Sequence, residues 1–176
     1  ELSVQQVQAG GFPEKVSVSE EGILFSAWID GAGRKVKPEQ LAVTGDAVYT
    51  AQYFPVLDRH VPYLFANEQG KLEPQSGLTG QMLADALAAL AAEGAAKWFP
   101  ELPQGQEALS ASRLKTLLEH FYTATELDYV FEGITTDTVT RGQFAILMNK
   151  LLTRGGDETV VLTQPITASD VLDGSQ

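Results

Sequence analysis

The chain has 176 residues, enough for one or two domains, and its 44% hydrophobic and 20% charged content is that of a folded globular protein rather than a disordered one. A net charge of −11 and a pI near 4.5 argue against a nucleic-acid partner or an anionic membrane surface, since both need a basic face. The lack of cysteine removes disulfides, thiolate catalysis and Cys-based zinc sites from consideration, and no apolar run approaches the ~20 residues of a membrane-spanning helix.

Residues 1–53 read as β structure. The chain starts at ELSVQQ, inside a strand candidate, as a processed or excised piece of a longer protein would. Residues 2–7 and 15–18 are short strand candidates. Residues 22–30 place Ile23, Phe25, Ala27 and Ile29 on one face and Leu24, Ser26 and Trp28 on the other, both fairly apolar, as for a strand covered on two sides. A turn at Asp30-Gly31-Ala32-Gly33, strand candidates at 41–43 and 48–54, and a turn at Gly45-Asp46 complete this part.

From residue 54 the hydrophobic period changes from 2 to 3.6. Three helices are expected to start alike, after Leu78-Thr79, Leu109-Ser110 and Val139-Thr140: an apolar residue, a hydroxyl cap, then an apolar residue four positions on. The second stripe runs Leu114, Leu117, Leu118, Phe121, Tyr122. In the last helix Gln143 completes a capping box with Thr140, Val139 and Phe144 form a hydrophobic staple, and Phe144, Leu147, Met148, Leu151 and Leu152 follow the rhythm of a buried stripe. Shorter helices are expected over 58–69 and 125–131. Arg141 fits badly, because a cation at the first helical position opposes the macrodipole at a cost of roughly 0.3–1 kcal/mol. A charge so placed is a reason to look for an anion. Tyr53-Phe54-Pro55-Val56-Leu57 matches Trp98-Phe99-Pro100-Glu101-Leu102, which points to two tandem helical units, about 53–97 and 98–155.

Two resemblances follow from these residues. Gly22-x-x-Phe25-Ser26-Ala27-Trp28, then Gly33, then Val43-Thr44-Gly45-Asp46-x-x-Tyr49-Thr50-Ala51-x-Tyr53 resembles the latter two-thirds of the bacterial surface β-grasp repeat of the internalin B-repeat (Listeria–Bacteroides) type, with Ala27 for a glycine and Tyr53 for the closing tryptophan. Gly70-Lys71-Leu72-Glu73-Pro74-Gln75-Ser76-Gly77-Leu78-Thr79 and Val139-Thr140-Arg141-Gly142-Gln143-Phe144-Ala145 are similar to the S-layer homology repeat, with Gly80 in place of the signature arginine in the first copy. A family unit has three repeats; two are legible, and residues 166–172 resemble the start of a third. The resemblances imply an α+β chain: a small β-grasp-like N-terminal domain over 1–53, an all-α domain of two tandem helical repeats over 54–155, and a tail over 156–176.

They further imply a non-catalytic bacterial cell-surface protein, extracellular and cell-wall associated, that binds cell-wall polysaccharide carrying pyruvate ketals. In that family the signature threonine and arginine grip a carboxylate at a helix N-terminus, where free amides, the dipole and a guanidinium fork suit an anion. Thr140, Arg141 and Gln143 are the candidate carbohydrate contacts, with Trp98 and Tyr53 as stacking faces. Against this stand plainer readings: a solvated Arg141, a purely structural Thr140–Gln143 capping box, and Trp98 as a core anchor. No catalytic constellation, metal site, cofactor motif or membrane-inserting segment is expected. His60 and His120 lack metal spacing, and the Gly-rich stretches lack a P-loop lysine. The alternatives are a structural or protein-interaction module that has lost sugar binding, or the accessory region of a secreted enzyme.

Overall fold

The computed structural model describes residues 3–154; the expected third-repeat start at 166–172 and the tail lie outside the described residues. The chain is α+β. Strands β1 (Ile23–Ile29), β2 (Lys35–Val36) and β3 (Thr50–Pro55) form an antiparallel sheet in the order β2-β1-β3. Helices α1 (Gly80–Leu90), α2 (Ala111–Leu118), α3 (Ala124–Phe131) and α4 (Arg141–Leu151) follow, with short 3-10 turns at Pro38–Gln40 and Ala96–Trp98.

The hydrophobic core belongs to the helical part. Leu78, Leu83, Leu87, Leu90, Leu114, Leu118, Leu127, Val139, Phe144 and Met148 are wholly buried, whereas the sheet's apolar side chains, Pro55 apart, are half-buried or exposed. What organises this core is a closed triangle of main-chain hydrogen bonds. Leu78 N donates to Val139 O (2.8 Å), Val139 N to Leu109 O (3.1 Å), and Leu109 N to Leu78 O (2.8 Å). These are the three residues just ahead of the hydroxyl caps. Thr79, Ser110 and Thr140 each accept from the third amide of their helix, and Leu83, Leu114 and Phe144, the fourth residues, are all fully buried. Three staples therefore point at one centre. Gly77, Ala108 and Thr138 meet beside it: a Cβ on Gly77 would lie 3.1 Å from Ala108 Cβ and 3.6 Å from Thr138 Cγ2.

A second cycle runs the opposite way around. Gln81 N donates to Gly105 O, Ala111 N to Asp137 O, and Arg141 N to Ser76 O. First-turn amides, which have no partner inside their own helix, are thus satisfied by the loop that leads into the next capped helix. The expected two-unit division at residue 98 does not describe this arrangement, in which three capped helices, starting after residues 79, 110 and 140, occupy equivalent places.

Other expectations are corrected. Residues 58–69 form no helix: Pro62 removes a donor and restricts Val61, while Asp58 and Asn67 turn the chain through side-chain bonds to His60 N, and to Gln69 N and Lys71 N. Residues 3–7 and 15–18 form no strand; β1 pairs along its length with β3 and only at Trp28 and Ile29 with β2. Their stretch is held instead by Gly10 N to Val43 O and Val43 N to Gly11 O, so 41–43 is not a ladder strand either. Helix α2 stops at Leu118, leaving Phe121 buried in the following turn. The face assignment of β1 also changes. A register shift between Phe25 and Ala27 flips the alternation, so Phe25 and Trp28 share a face with ring centroids 5.6 Å apart.

The sheet is joined to the helical part by a tight seam. Val56 N donates to Gly22 O, Ala92 N to Val56 O, and Asp58 N to Leu90 O, so β3 runs on into a short pairing with the end of α1. Gly22, at φ +80°, lies where a Cβ would run into the Gly94–Ala95 main chain. Gly22→Ala is expected to lower the stability of the whole molecule by about 2–4 kcal/mol, from backbone strain and overpacking. Calorimetry checks it, the native chain melting in one transition. Thr79→Ala and Thr140→Ala are each expected to cost about 1 kcal/mol, the worth of a helix cap, read as a shifted denaturant midpoint with unchanged slope.

Candidate functional site

The start of α4 brings together three of the five expected contacts. Thr140 and Gln143 form the capping box: Gln143 N donates to Thr140 Oγ1 (3.2 Å) and Thr140 N to Gln143 Oε1 (2.9 Å). The remaining first-turn amides are also engaged. Arg141 N donates to Ser76 O (2.9 Å), Gly142 N to Pro74 O (2.8 Å), and Phe144 N to Thr140 O (2.9 Å). Every first-turn main-chain donor that would greet an anion at this helix start already has a protein acceptor.

Arg141 turns inward. It is 6% exposed, and its Nη2 donates to Phe65 O at 2.6 Å. Its Nε is the one enclosed side-chain polar atom without a partner among the described residues. The ion pairs of the described residues, Arg34–Asp30 and Lys115–Asp128, do not include it. Burial holds the guanidinium below its ordinary pKa, while the Glu73 carboxylate, attracting from nearby, pulls the other way. Glu73 accepts from Asn67 Nδ2 at 2.7 Å and has φ +49°. The loop from Phe65 to Ser76 thus folds over Arg141 and supplies three of the carbonyls around it. The residues Asn67 and Gly70 carry a turn signal that the expected 58–69 helix passed over; what the turn covers is not legible in the sequence, because the acceptors are main-chain atoms that any residue offers.

At the start of α1, where Gly80 holds the place that Arg141 holds in α4, Pro103 packs close: a Cβ on Gly80 would come within 2.9 Å of the Pro103 ring. Trp98, the fourth expected contact, belongs to a different place, the seam between sheet and helices. Its Nε1 donates to Glu21 O (3.1 Å), and its ring meets Tyr53 at 5.1 Å in an edge contact. Among the described residues no cluster of three His, Asp or Glu side chains is placed to hold a metal ion, and no helix is long and apolar enough to cross a membrane. No protein-family model matches the chain, and neither a curated protein nor a solved structure does so. The two resemblances rest on the residues quoted for them.

Because the first-turn donors are engaged, millimolar pyruvate is expected to leave the amide resonances of Gly142 and Gln143 in place. Saturable movement of those two signals in a heteronuclear NMR titration would show that the cover opens.

Proposed function

We propose that this chain is a non-catalytic structural module of a bacterial surface protein, extracellular and wall-associated. Its helical part keeps a three-helix ring of the S-layer homology kind and has lost sugar binding at Arg141. In this reading the three capped helices are three degenerate repeats, and the sheet is the latter portion of a β-grasp-like unit. The observation that carries it is the enclosed guanidinium. Bonded to the Phe65 carbonyl beneath a loop that also satisfies the α4 amides, Arg141 works as a clamp between the last helix and residues 65–76.

A second reading is non-covalent attachment to an anionic, pyruvylated wall polysaccharide through Thr140, Arg141 and Gln143. One observation favours it. A buried cation with an unpartnered Nε and no carboxylate bonded to it is costly to keep, and a ligand carboxylate would relieve that cost once the 65–76 loop moved aside.

Cosedimentation with purified pyruvylated wall polysaccharide at low salt separates the two, read beside thermal melts of Arg141→Ala and Arg141→Lys. For the clamp, the native chain stays in the supernatant. Arg141→Ala then loses about 2–3 kcal/mol, having removed one hydrogen bond and stranded the Phe65 carbonyl. Pelleting of the native chain that disappears in Arg141→Lys, with the melt unchanged, would establish attachment instead.

A further inference from the structure

The seam between sheet and helices holds a cleft, apart from Arg141, that includes Tyr53 and Trp98, the two rings expected as stacking faces. Residues 51–55 of β3 line one side, and Trp98, Pro100, Glu119 and His120 the other, around about 310 Å³. Glu119 and His120 lie exposed just past the end of α2. The volume falls at the small end of the range for ligand sites.

Trp98 is held in three ways at this place: by the Glu21 carbonyl, by the Tyr53 ring, and by the Lys97 ammonium 5.2 Å above its own ring. Tyr53, 38% exposed, pairs directly across the sheet with Phe25, whose ring lies against Trp28. Trp28, Phe25, Tyr53 and Trp98 therefore make a row of four rings that leads across the sheet into the cleft. β3 is an outer strand, so its second edge carries no ladder and leaves main-chain groups for a ligand. Fixed rings cost little further ordering when something binds to them.

The walls carry a single carboxylate and no cluster of either sign, so a strongly charged ligand gains little here. Flat aromatic surface beside a carboxylate, an imidazole and open main-chain groups matches a molecule with apolar C–H faces and many hydroxyls. We propose that this cleft binds a neutral glycan, with one sugar unit stacked on the open side of the Tyr53–Trp98 pair, its hydroxyls on Glu119 and His120, and the chain continuing along the aromatic row. The site is separate from Arg141 and needs no ligand carboxylate.

The test is an NMR titration of the full chain with two neutral probes, cellotetraose and chitotetraose, following the Trp98 indole N–H. Saturable movement of that signal with at least one probe is expected. Glu119→Ala and Tyr53→Ala are each expected to weaken the binding about tenfold, the worth of one hydrogen bond or stacked ring. Tyr129→Ala, which removes an exposed ring on α3 outside the cleft, leaves it unchanged. Glu119 is exposed, so its replacement tests the site even if loss of Tyr53 loosens the seam. A Trp98 signal that stays still with both probes at millimolar concentration overturns the proposal, as does binding that survives both cleft substitutions.

Discussion

The constraint on which this molecule depends is the closure of three main-chain hydrogen bonds at Leu78, Leu109 and Val139. Each of these residues donates to one neighbour and accepts from the other, so none can leave without unpairing two groups. The ring lies among side chains that are almost entirely buried, where an unmade bond costs about 1–3 kcal/mol. Its position directly ahead of the three caps means that ring, cap and staple reinforce one another at each corner. The counter-running bonds from the first-turn amides then fasten each helix to the loop that leads into the next. Local capping, worth about 1 kcal/mol alone, thereby becomes part of a long-range arrangement.

How much of this was legible in the sequence follows from the range of the forces involved. The three capped starts were readable because apolar residue, hydroxyl and second apolar residue are local signals, and all six apolar residues are buried in the structure. The capping box at Thr140 and Gln143 formed as its spacing implies. The box at Thr123 and Glu126 has the same spacing and was not read; it starts α3 at Ala124, one residue ahead of the expected 125. The ring itself was not legible, because main-chain donors and acceptors leave no mark in residue identity. Residues 58–69 misled because Val61, Leu64 and Phe65 mimic a helical stripe while Pro62 and two side-chain turns decide the backbone. In β1 a single extra residue reversed the faces, which no period-2 count can foresee.

Arg141 shows where such reading reaches its end. Its placement at the first turn of α4 was plain, and so was the electrostatic conflict with the dipole. Whether that conflict is met by solvent, a ligand or the protein depends on residues more than sixty positions earlier, where the Phe65 carbonyl approaches it. Trp98 makes the same point differently. Grouped with Arg141 by resemblance, it stands instead against Glu21 and Tyr53, where sheet and helices join.

The close approach of Gly22 to Gly94 and Ala95 bears on how such a chain can be assembled from parts. A bead that hangs from its neighbour by a linker can be traded for another during evolution, because nothing outside the linker registers the exchange. Here β3 pairs onward with the end of α1 and two glycines interlock beside it. A foreign sheet grafted at this point would arrive with side chains where bare backbone is required. The two portions therefore have to be inherited together, as one indivisible unit of exchange.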